Sequence, residues 1–335
     1  MQRVFVTGGT GFIGYHIAKR LLQNGYNVRL LVHSSRRKLD ILFHPKVEVV
    51  TGDILDVDGL RQAMRGCGIV YHAAGIVTFN PSLAVRNYAV NVQGTENICR
   101  LVLELGIEKL IYTSSAATIG KNPSGLSDET TAFNLWDISS HYKKSKVLAE
   151  NKVMEFYKNF ALPVVIVNPS VPIGTHDFRP SPSGSLVINH LKSKKPLIYA
   201  EGGMNFVDVE DVALGHLMAE KKGKVGERYI LGNQNLSIYQ FYNLLDTVSD
   251  KKTIKVKCPY WAALLVGKLS QQRVRHSTRE PKYASEGVKL MRKKMFYDVS
   301  KARKELGISF TPLENACRKA LRWFATEYGR AGEDR

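Results

Sequence analysis

A short apolar strand followed directly by closely spaced glycines and a helix is the feature that most restricts the fold of this chain. Residues 4–6 are apolar, and the glycines in the stretch 7–14 have the spacing GxxGxxG. Apolar side chains then recur on one face of residues 12–24, as in a helix. A backbone without Cβ atoms and the free N–H groups of a helix start suit a bound pyrophosphate. We therefore predict a dinucleotide-binding turn, with contacts from Gly8, Gly11, Phe12, Ile13 and Gly14.

Strand-like and helix-like segments alternate over the first 170 residues. The predicted strands are 4–6, 28–32, 47–50, 69–71, 110–112 and 164–167, and the predicted helices are 12–24, 57–65, 87–105 and 139–160. Strands that are apolar on both faces and alternate with helices indicate a parallel sheet covered on both sides. The predicted fold class is therefore α/β, with a doubly wound, Rossmann-type parallel sheet.

The alternation changes after residue 170. Residues 179–184 are rich in proline and serine and are predicted as a loop, whereas 205–209 and 229–231 are predicted as strands that return to a sheet. We predict a smaller, discontinuous C-terminal substrate lobe. The predicted division is a dinucleotide-binding domain over 1–175, with returning segments near 205–235, and a substrate-binding lobe mainly over 176–335.

Composition excludes several classes of protein. The chain has 335 residues, of which 44% are hydrophobic, so it is long and apolar enough to bury a large core. Its four cysteines form no CxxC pair, which excludes a zinc ribbon and fits a reducing compartment. No metal site is predicted. We find no signal-like start and no apolar run of the roughly 18 residues that span a bilayer, and we expect a cytoplasmic protein.

The positive charge is concentrated near the C-terminus. The formal net charge is +18, and residues 251–310 contribute 16 basic against 4 acidic residues, or +12. A short apolar helix predicted at 258–269 precedes much of this charge. Two interpretations remain open: peripheral docking at the anionic inner membrane surface, or a solvated basic face. Binding of nucleic acid is not predicted, because no reading motif or interleaved aromatic pattern accompanies the charge.

The end of the second strand favours NADP over NAD. NAD sites usually have an acidic residue there for the ribose 2′-hydroxyl. This chain instead continues as His-Ser-Ser-Arg-Arg-Lys over 33–38 and has no acid before Asp40. Arg36 and Arg37 offer paired N–H donors to a 2′-phosphate. The alternative is that these cations belong to a solvated loop.

Two further loops follow predicted strands and suit the same cofactor. Asp53 and Ile54 follow the third strand and are predicted to hold the adenine. A run of small residues follows the fourth strand and lets the nucleotide approach the backbone closely. The residues of this run are Ala73, Ala74 and Gly75.

A tyrosine and a lysine four residues apart are the candidates for the chemistry. Tyr142 and Lys146 share one face of the helix predicted at 139–160. A phenol with a pKa near 10 is a poor base, but a nearby ammonium group and a cationic nicotinamide both favour the phenolate. Tyr142 would then exchange a proton with a carbonyl or alcohol oxygen, and Lys146 would hold the nicotinamide ribose.

The hydroxyl that orients the substrate oxygen is predicted at the end of the fifth strand. Residues 112–116 lie at the carboxyl edge of the sheet, where such folds bind ligands. Ser115 is the candidate for this role, and a structural serine at Ser114 is the alternative.

These motifs together resemble the extended short-chain dehydrogenase/reductase family. The matching stretches are TGGTGFIG at 7–14, GDILD at 52–56, HAAG at 72–75, NVQGTENI at 91–98, YTSSAATIG at 112–120, YKKSK at 142–146, NPSVPIG at 168–174 and NFVDVEDVALGHL at 205–217. The resemblance implies Ser115, Tyr142 and Lys146 as the catalytic triad. It also implies a homodimer through the helices at 87–105 and 139–160. The further cofactor contacts in the matching stretches are Asn91, Thr113, Pro169, Ser170 and Val171.

Within that family the chain is most similar to the dihydroflavonol-reductase-like and hopanoid-associated sugar epimerase branch. Members of the reductase branch often carry an arginine at the position of His33, which is therefore a further candidate cofactor contact. The leading hypothesis is an NADP-dependent oxidoreductase that transfers hydride between the nicotinamide and a ketone or secondary alcohol of a moderately large, lipid-like or sugar substrate. The alternative is an NAD-dependent nucleotide-sugar epimerase or dehydratase that uses the same catalytic residues. A nucleotide-sensing binding protein without activity is the third interpretation.

Overall fold

The computed structural model describes residues 2–33, 39–277, 279–281 and 284–330. The strands are β1 (Arg3–Thr7), β2 (Asn27–Val32), β3 (Val47–Thr51), β4 (Ile69–His72), β5 (Lys109–Thr113), β6 (Val164–Pro169), β7 (Val171–Ile173), β8 (Leu197–Ala200), β9 (Gly203–Asp208), β10 (Arg228–Leu231), β11 (Gln234–Ser237) and β12 (Lys255–Cys258). The helices are α1 (Phe12–Gln23), α2 (Val57–Met64), α3 (Ala84–Tyr88), α4 (Gly94–Glu104), α5 (His141–Phe160), α6 (Pro182–Lys192), α7 (Val209–Lys222), α8 (Ile238–Ser249), α9 (Tyr260–Arg273), α10 (Ser285–Arg292) and α11 (Leu313–Arg330).

Seven parallel strands form the main sheet. Their order is β3-β2-β1-β4-β5-β6-β10, and every neighbouring pair is parallel. The first six strands have the classical doubly wound order, with the switch point between β1 and β4. The predicted Rossmann-type α/β fold is therefore confirmed.

The main sheet is buried on both faces because helices cover each side. Val4 and Val6 of β1 point into a core shared with α1 and α7, whereas Phe5 points into a second core shared with α2, α4 and α5. This alternation explains why strand residues are apolar at consecutive positions, since neither face of the strand meets water.

The helix predicted at 87–105 begins earlier and contains an irregular turn. It starts as α3, passes through a π-helical turn at Ala89–Gln93 and continues as α4. A π-turn inserts one residue into the helical repeat and often occurs beside functional sites. In this helix the turn contains Asn91.

The C-terminal part of the chain forms two small sheets. A three-stranded sheet has the order β11-β9-β7, and β8 pairs with β12. Residues 229–231 return to the main sheet as predicted, because β10 pairs with β6. The strand predicted at 205–209 instead joins the three-stranded sheet as part of β9. Helices α6, α8 and α11 pack together around a third core.

The loop prediction for residues 179–184 is wrong in its second half, where α6 begins. The Ser181 side chain caps the helix by accepting a hydrogen bond from the backbone N–H of Gly184, and Pro182 occupies the first helical turn. Proline and serine favour a helix start for the same reasons that they favour loops. The domain boundaries at 175 and 176 stay a prediction. In the described part of the chain, no helix is long and apolar enough to cross a membrane.

Candidate active site

The glycine-rich turn between β1 and α1 is packed too closely for side chains. Gly8 has a φ of 72°, and a Cβ there would lie 2.6 Å from the carbonyl carbon of Ala73. A Cβ on Gly14 would lie 2.1 Å from the carbonyl oxygen of Gly8. Gly11 is the N-cap of α1 and has no side chain to occupy the first backbone N–H groups. The turn therefore presents bare backbone and a helix start at the carboxyl edge of the sheet.

At the end of β2 the structure brings together a histidine and an aspartate from neighbouring strands. His33 Nε2 lies 3.3 Å from Asp53 Oδ2, and both side chains are partly exposed. Ile54 is buried, and its carbonyl oxygen accepts a hydrogen bond of 3.0 Å from Asn97. The sequence analysis did not predict the His33–Asp53 pair. The pair could have been predicted from the sequence, because the two residues closely follow β2 and β3, and these strands are adjacent and parallel. Arg36 and Arg37 lie outside the described residues.

Tyr142 and Ser115 meet at the carboxyl edge of the sheet. Ser115 lies two residues after the end of β5, and its side-chain hydroxyl interacts with Tyr142. Burial raises the pKa of Tyr142, and the hydrogen bond from Ser115 opposes this by lowering it. The ring of Phe79 packs edge-on against the Tyr142 ring at a centroid distance of 6.3 Å. Ser140 caps α5 by accepting a hydrogen bond from the Lys143 backbone N–H, which fixes the start of the helix that carries Tyr142.

Lys146 is buried one helical turn after Tyr142. Its Nζ donates hydrogen bonds to the Thr113 carbonyl oxygen at 2.9 Å and to the Tyr112 hydroxyl at 3.2 Å. Burial lowers the pKa of Lys146 to about 8, and the nearby carboxylate of Glu150 partly opposes this shift. The ammonium group is therefore mostly charged at neutral pH, and it lies 4.8 Å from the centroid of the Tyr112 ring.

Glu150 lies at the centre of a buried polar network beside the turn that contains Ser115. This network was not predicted from the sequence. The Glu150 carboxylate accepts hydrogen bonds from Asn168 Nδ2 at 2.7 Å, Thr118 Oγ1 at 3.0 Å and Arg228 at 2.8 Å. Asn168 Nδ2 also contacts the Ser115 carbonyl oxygen at 3.1 Å. The network therefore ties the turn after β5 to β6, β10 and α5. The sequence did hold a hint of this role, because Glu150 follows Lys146 by four residues and therefore shares its helix face.

Asn91 and Thr113 use their side chains within the protein. Asn91 accepts a hydrogen bond from the Ile76 backbone N–H at 2.8 Å and donates to Ser145 Oγ at 2.9 Å. Thr113 Oγ1 lies 2.9 Å from His216 Nε2. Asn91 thus holds the loop after β4 against α5, and the carbonyl oxygen of Thr113 accepts the hydrogen bond from Lys146. A direct contact of either side chain with the cofactor stays a prediction.

Two serine hydroxyls near the ends of β5 and β6 have no hydrogen-bond partner among the described residues. They are Ser114 Oγ and Ser170 Oγ, and both atoms are shielded from solvent. Burying a hydroxyl without a partner is costly, so such groups are usually satisfied by something that binds. Pro169 and Val171 flank Ser170 at the junction of β6 and β7.

Comparison with known proteins gives the family. A model described as the NAD dependent epimerase/dehydratase family matches residues 4–232. The chain belongs to this family. Its extended short-chain dehydrogenase/reductase character, predicted from the motifs, is confirmed by relatives across the whole chain. The protein is therefore an NAD(P)-dependent enzyme of the oxidoreductase type.

Three similar proteins cover nearly all of this epimerase/dehydratase family member. A Synechocystis sp. protein with a dihydroflavonol 4-reductase name is 37% identical over 325 residues, which are 96% of this chain and 94% of that protein. Sterol demethylase protein B of Methylococcus capsulatus is 29% identical over 326 residues, covering 95% and 97%. The crystal structure of gox2253 has a TM-score of 0.84 at 34% identity and covers 98% of this chain and 99% of that one.

The residues of this family member fit a dinucleotide. The space over Gly8 and Gly14 is the kind of cradle that a pyrophosphate needs, and the start of α1 supplies N–H donors for it. The unpartnered Ser114 and Ser170 hydroxyls lie near the strand ends, where the nicotinamide half is expected. Lys146 is the positively charged member of the predicted triad.

Proposed function

We propose that this protein is an NADP-dependent oxidoreductase that acts on a ketone or secondary alcohol of a moderately large substrate. The observation that carries the proposal is that the Ser115 side chain lowers the pKa of Tyr142, while the buried Lys146 lies one helical turn later on the same helix. Bound NADPH would supply hydride to the carbonyl carbon. Tyr142 would give its phenolic proton to the carbonyl oxygen, and Ser115 would hold that oxygen in place.

The charges around Tyr142 suit this exchange in both directions. Burial favours the neutral phenol, which is the form that donates a proton during reduction. The Ser115 hydroxyl favours the phenolate that remains afterwards. We expect the cationic Lys146, on the same helix face, to favour it as well. Proton transfer by a positioned side chain typically contributes about 10² to 10⁴ in rate.

The end of β2 supports NADP over NAD. The first acid after β2 is Asp40, and its Oδ1 accepts hydrogen bonds from the Tyr15 hydroxyl at 2.9 Å and from the Ile41 backbone N–H at 2.8 Å. Asp40 is therefore engaged by α1 and its own turn, so it is a poor partner for a ribose 2′-hydroxyl. Arg36 and Arg37 remain the proposed contacts for a 2′-phosphate.

An NAD-dependent nucleotide-sugar epimerase or dehydratase is the second candidate. The family model and the intact catalytic residues are compatible with it. It differs in the cofactor, because such an enzyme keeps NAD bound and regenerates it within each turnover. The nature of the nucleotide that the protein prefers therefore separates the two functions.

The test is a screen of ketones and aldehydes for NADPH oxidation by the wild-type protein and by Tyr142→Phe. We expect the variant to lose at least 100-fold in kcat while its affinity for NADPH is retained. Tyr239→Phe, at an exposed tyrosine on α8, is the control and should turn over at the wild-type rate. Equal turnover by Tyr142→Phe on any substrate would remove Tyr142 from the mechanism.

A cytoplasmic homodimer is also part of the proposal. Helix α5, which the family resemblance assigns to the dimer, exposes the large apolar side chains of Leu148 and Phe160, and the start of α3 just before the other assigned helix exposes Val85. A second copy would remove them from water. Light scattering of the wild-type protein and of Leu148→Glu tests this, with a dimer and a monomer as the respective expectations. A monomeric wild-type protein would contradict it.

A further inference from the structure

Helix α9 has an exposed apolar stripe along its whole length. Trp261, Leu265 and Leu269 are spaced four residues apart, so they lie on one helix face. Their exposed fractions are 70%, 51% and 47%. Isolated apolar residues on a surface need no explanation, but a tryptophan and two leucines aligned on one helix form a patch.

The opposite face of α9 is firmly seated on the protein. Ala263 and Gly267 are buried, and a Cβ on Gly267 would lie 2.8 Å from the backbone of Ser285 at the start of α10. Gln271 adds polar contacts, donating to Glu286 at 2.6 Å and accepting from Ser285 Oγ at 2.8 Å. The helix is therefore held in one rotational setting, which directs the apolar stripe outward.

Basic residues surround this stripe. Residues 251–310 carry a net charge of +12. Exposed cations lie on α9, just after it and around α10, and Arg292 stacks on the Tyr260 ring at 4.4 Å from its centroid. The exposed cations that the structure describes here are Lys268, Arg273, Arg275, Arg279, Arg292, Lys293 and Lys294. Apolar residues with an interfacial tryptophan, flanked by cations, match the two attractions that an anionic bilayer surface offers.

We propose that α9 and the basic residues around it form a docking surface for an anionic lipid bilayer. Trp261, Leu265 and Leu269 enter the headgroup region, and the flanking lysines and arginines contact the lipid phosphates. The strand before α9 adds to the exposed apolar surface, since Val256 of β12 is exposed and lies opposite the exposed Ile198 of β8. Charge complementarity favours a lipid surface over a second copy of this chain, because two copies would bring the same positive charge together.

The docking surface is connected to the candidate active site through the chain that follows α9. Asn80 Nδ2 donates hydrogen bonds to the carbonyl oxygens of Ser277 at 2.7 Å and Arg279 at 2.8 Å. The neighbouring Phe79 is the residue whose ring packs against Tyr142. A consequence that rests on the proposed function is that docking brings a ketone dissolved in the bilayer close to Tyr142. The docking itself does not depend on the reaction.

Vesicle sedimentation of the full chain tests the proposal. The probes are vesicles of phosphatidylcholine alone and of phosphatidylcholine with 30% phosphatidylglycerol, mixed with protein at about 0.1 M salt. We expect at least tenfold stronger binding to the anionic vesicles, weakened in 0.5 M salt by screening. Trp261→Ser/Leu265→Ser should lose at least tenfold of this binding. The matched control is Phe43→Ser/Val49→Ser, which removes two exposed apolar side chains elsewhere and should bind as the wild type does.

Each other outcome would overturn the proposal. Equal binding to both vesicle types would exclude recognition of the anionic surface. Undiminished binding by Trp261→Ser/Leu265→Ser would exclude α9. If the wild type is a dimer that binds no vesicles, and Trp261→Ser/Leu265→Ser is a monomer, the stripe is instead an interface with a second copy of the chain. Tyr142→Phe should sediment as the wild type does, so failure of the proposed reaction and failure of docking are distinguished.

Discussion

Lys146 donates a 2.9 Å hydrogen bond to the carbonyl oxygen of Thr113, the last residue of β5. Ser115 lies only two residues further along the chain and contacts Tyr142. The end of β5 therefore helps to position both the Lys146 ammonium group and the Ser115 hydroxyl. Because β5 is a central strand of the main sheet and its residues 110–113 are buried, the packing of the sheet sets this arrangement before any ligand binds.

Removing the Ser115 hydroxyl should shift the pH dependence of alcohol oxidation. The Ser115 hydrogen bond lowers the pKa of Tyr142, so Ser115→Ala raises that pKa and moves the alkaline rise in kcat to higher pH. At pH 7 we expect at least a tenfold loss of kcat. Ser124→Ala is the control, because Ser124 is an exposed serine in the loop that follows the same strand. An equal shift in the pH dependence of kcat in both variants would contradict the role assigned to Ser115.

A methyl group in the glycine-rich turn should weaken nucleotide binding. In Gly14→Ala the new Cβ would lie 2.1 Å from the Gly8 carbonyl oxygen, so the turn must move away from the position that presents its backbone. We expect the dissociation constant for NADPH to rise at least tenfold, measured by fluorescence titration. Gly125→Ala is the control, since a Cβ there meets nothing within 4 Å. Unchanged affinity in Gly14→Ala would place the nucleotide elsewhere.

Neutralising Glu150 should destabilise the protein. The buried carboxylate accepts hydrogen bonds from Asn168, Thr118 and Arg228, and an amide cannot replace all three. We expect Glu150→Gln to lower the free energy of unfolding by about 3 kcal/mol, measured by urea denaturation. Glu155→Gln on the same helix breaks only an exposed ion pair with Lys152 and should cost less than about 0.5 kcal/mol. Similar losses in both variants would contradict the network.

Lys143 should make the stability of the protein depend on alkaline pH. It is buried with Nζ 5.4 Å from the centroid of the Phe133 ring, and burial lowers its pKa from 10.5 to about 8. Between these two pH values the unfolded chain binds more protons, so stability rises with pH across this window. Lys146 contributes in the same direction.

Replacing Lys143 by methionine removes its part of this dependence. Lys143→Met should be more stable than the wild type by up to about 3 kcal/mol at pH 7, and this difference should shrink towards zero as the pH approaches 10.5. Lys158→Met, at an exposed position on α5, is the control for removing a charge from the same helix. Urea denaturation at pH 7 and pH 10 measures both. A loss of stability in Lys143→Met at pH 7 would show that the ammonium group has a favourable partner.

Local sequence patterns predicted the sheet and the position of the catalytic candidates. The spacing of Gly8, Gly11 and Gly14 and the pair Tyr142 and Lys146 are short-range features, since each lies within one turn or one helix. The parallel, doubly wound character of the sheet followed from the alternation of buried strands and helices.

Features that depend on pairing between distant segments were not predicted. The His33–Asp53 contact requires β2 and β3 to be in register, and the Glu150 network joins residues from β6, β10 and α5. The start of α6 was missed for a different reason, because proline at the first turn and a serine cap are also typical of loops.

The preference of the protein for NADPH or NADH tests the proposed function most directly. Purified protein is first analysed for retained nucleotide and then titrated with NADPH and NADH, with intrinsic and nicotinamide fluorescence as the readouts. We predict that the protein binds NADPH at least tenfold more tightly than NADH, a difference of about 1.4 kcal/mol. This preference should be lost in Arg36→Ala/Arg37→Ala. NAD retained through purification, or equal or tighter binding of NADH, would contradict it and favour the epimerase or dehydratase function.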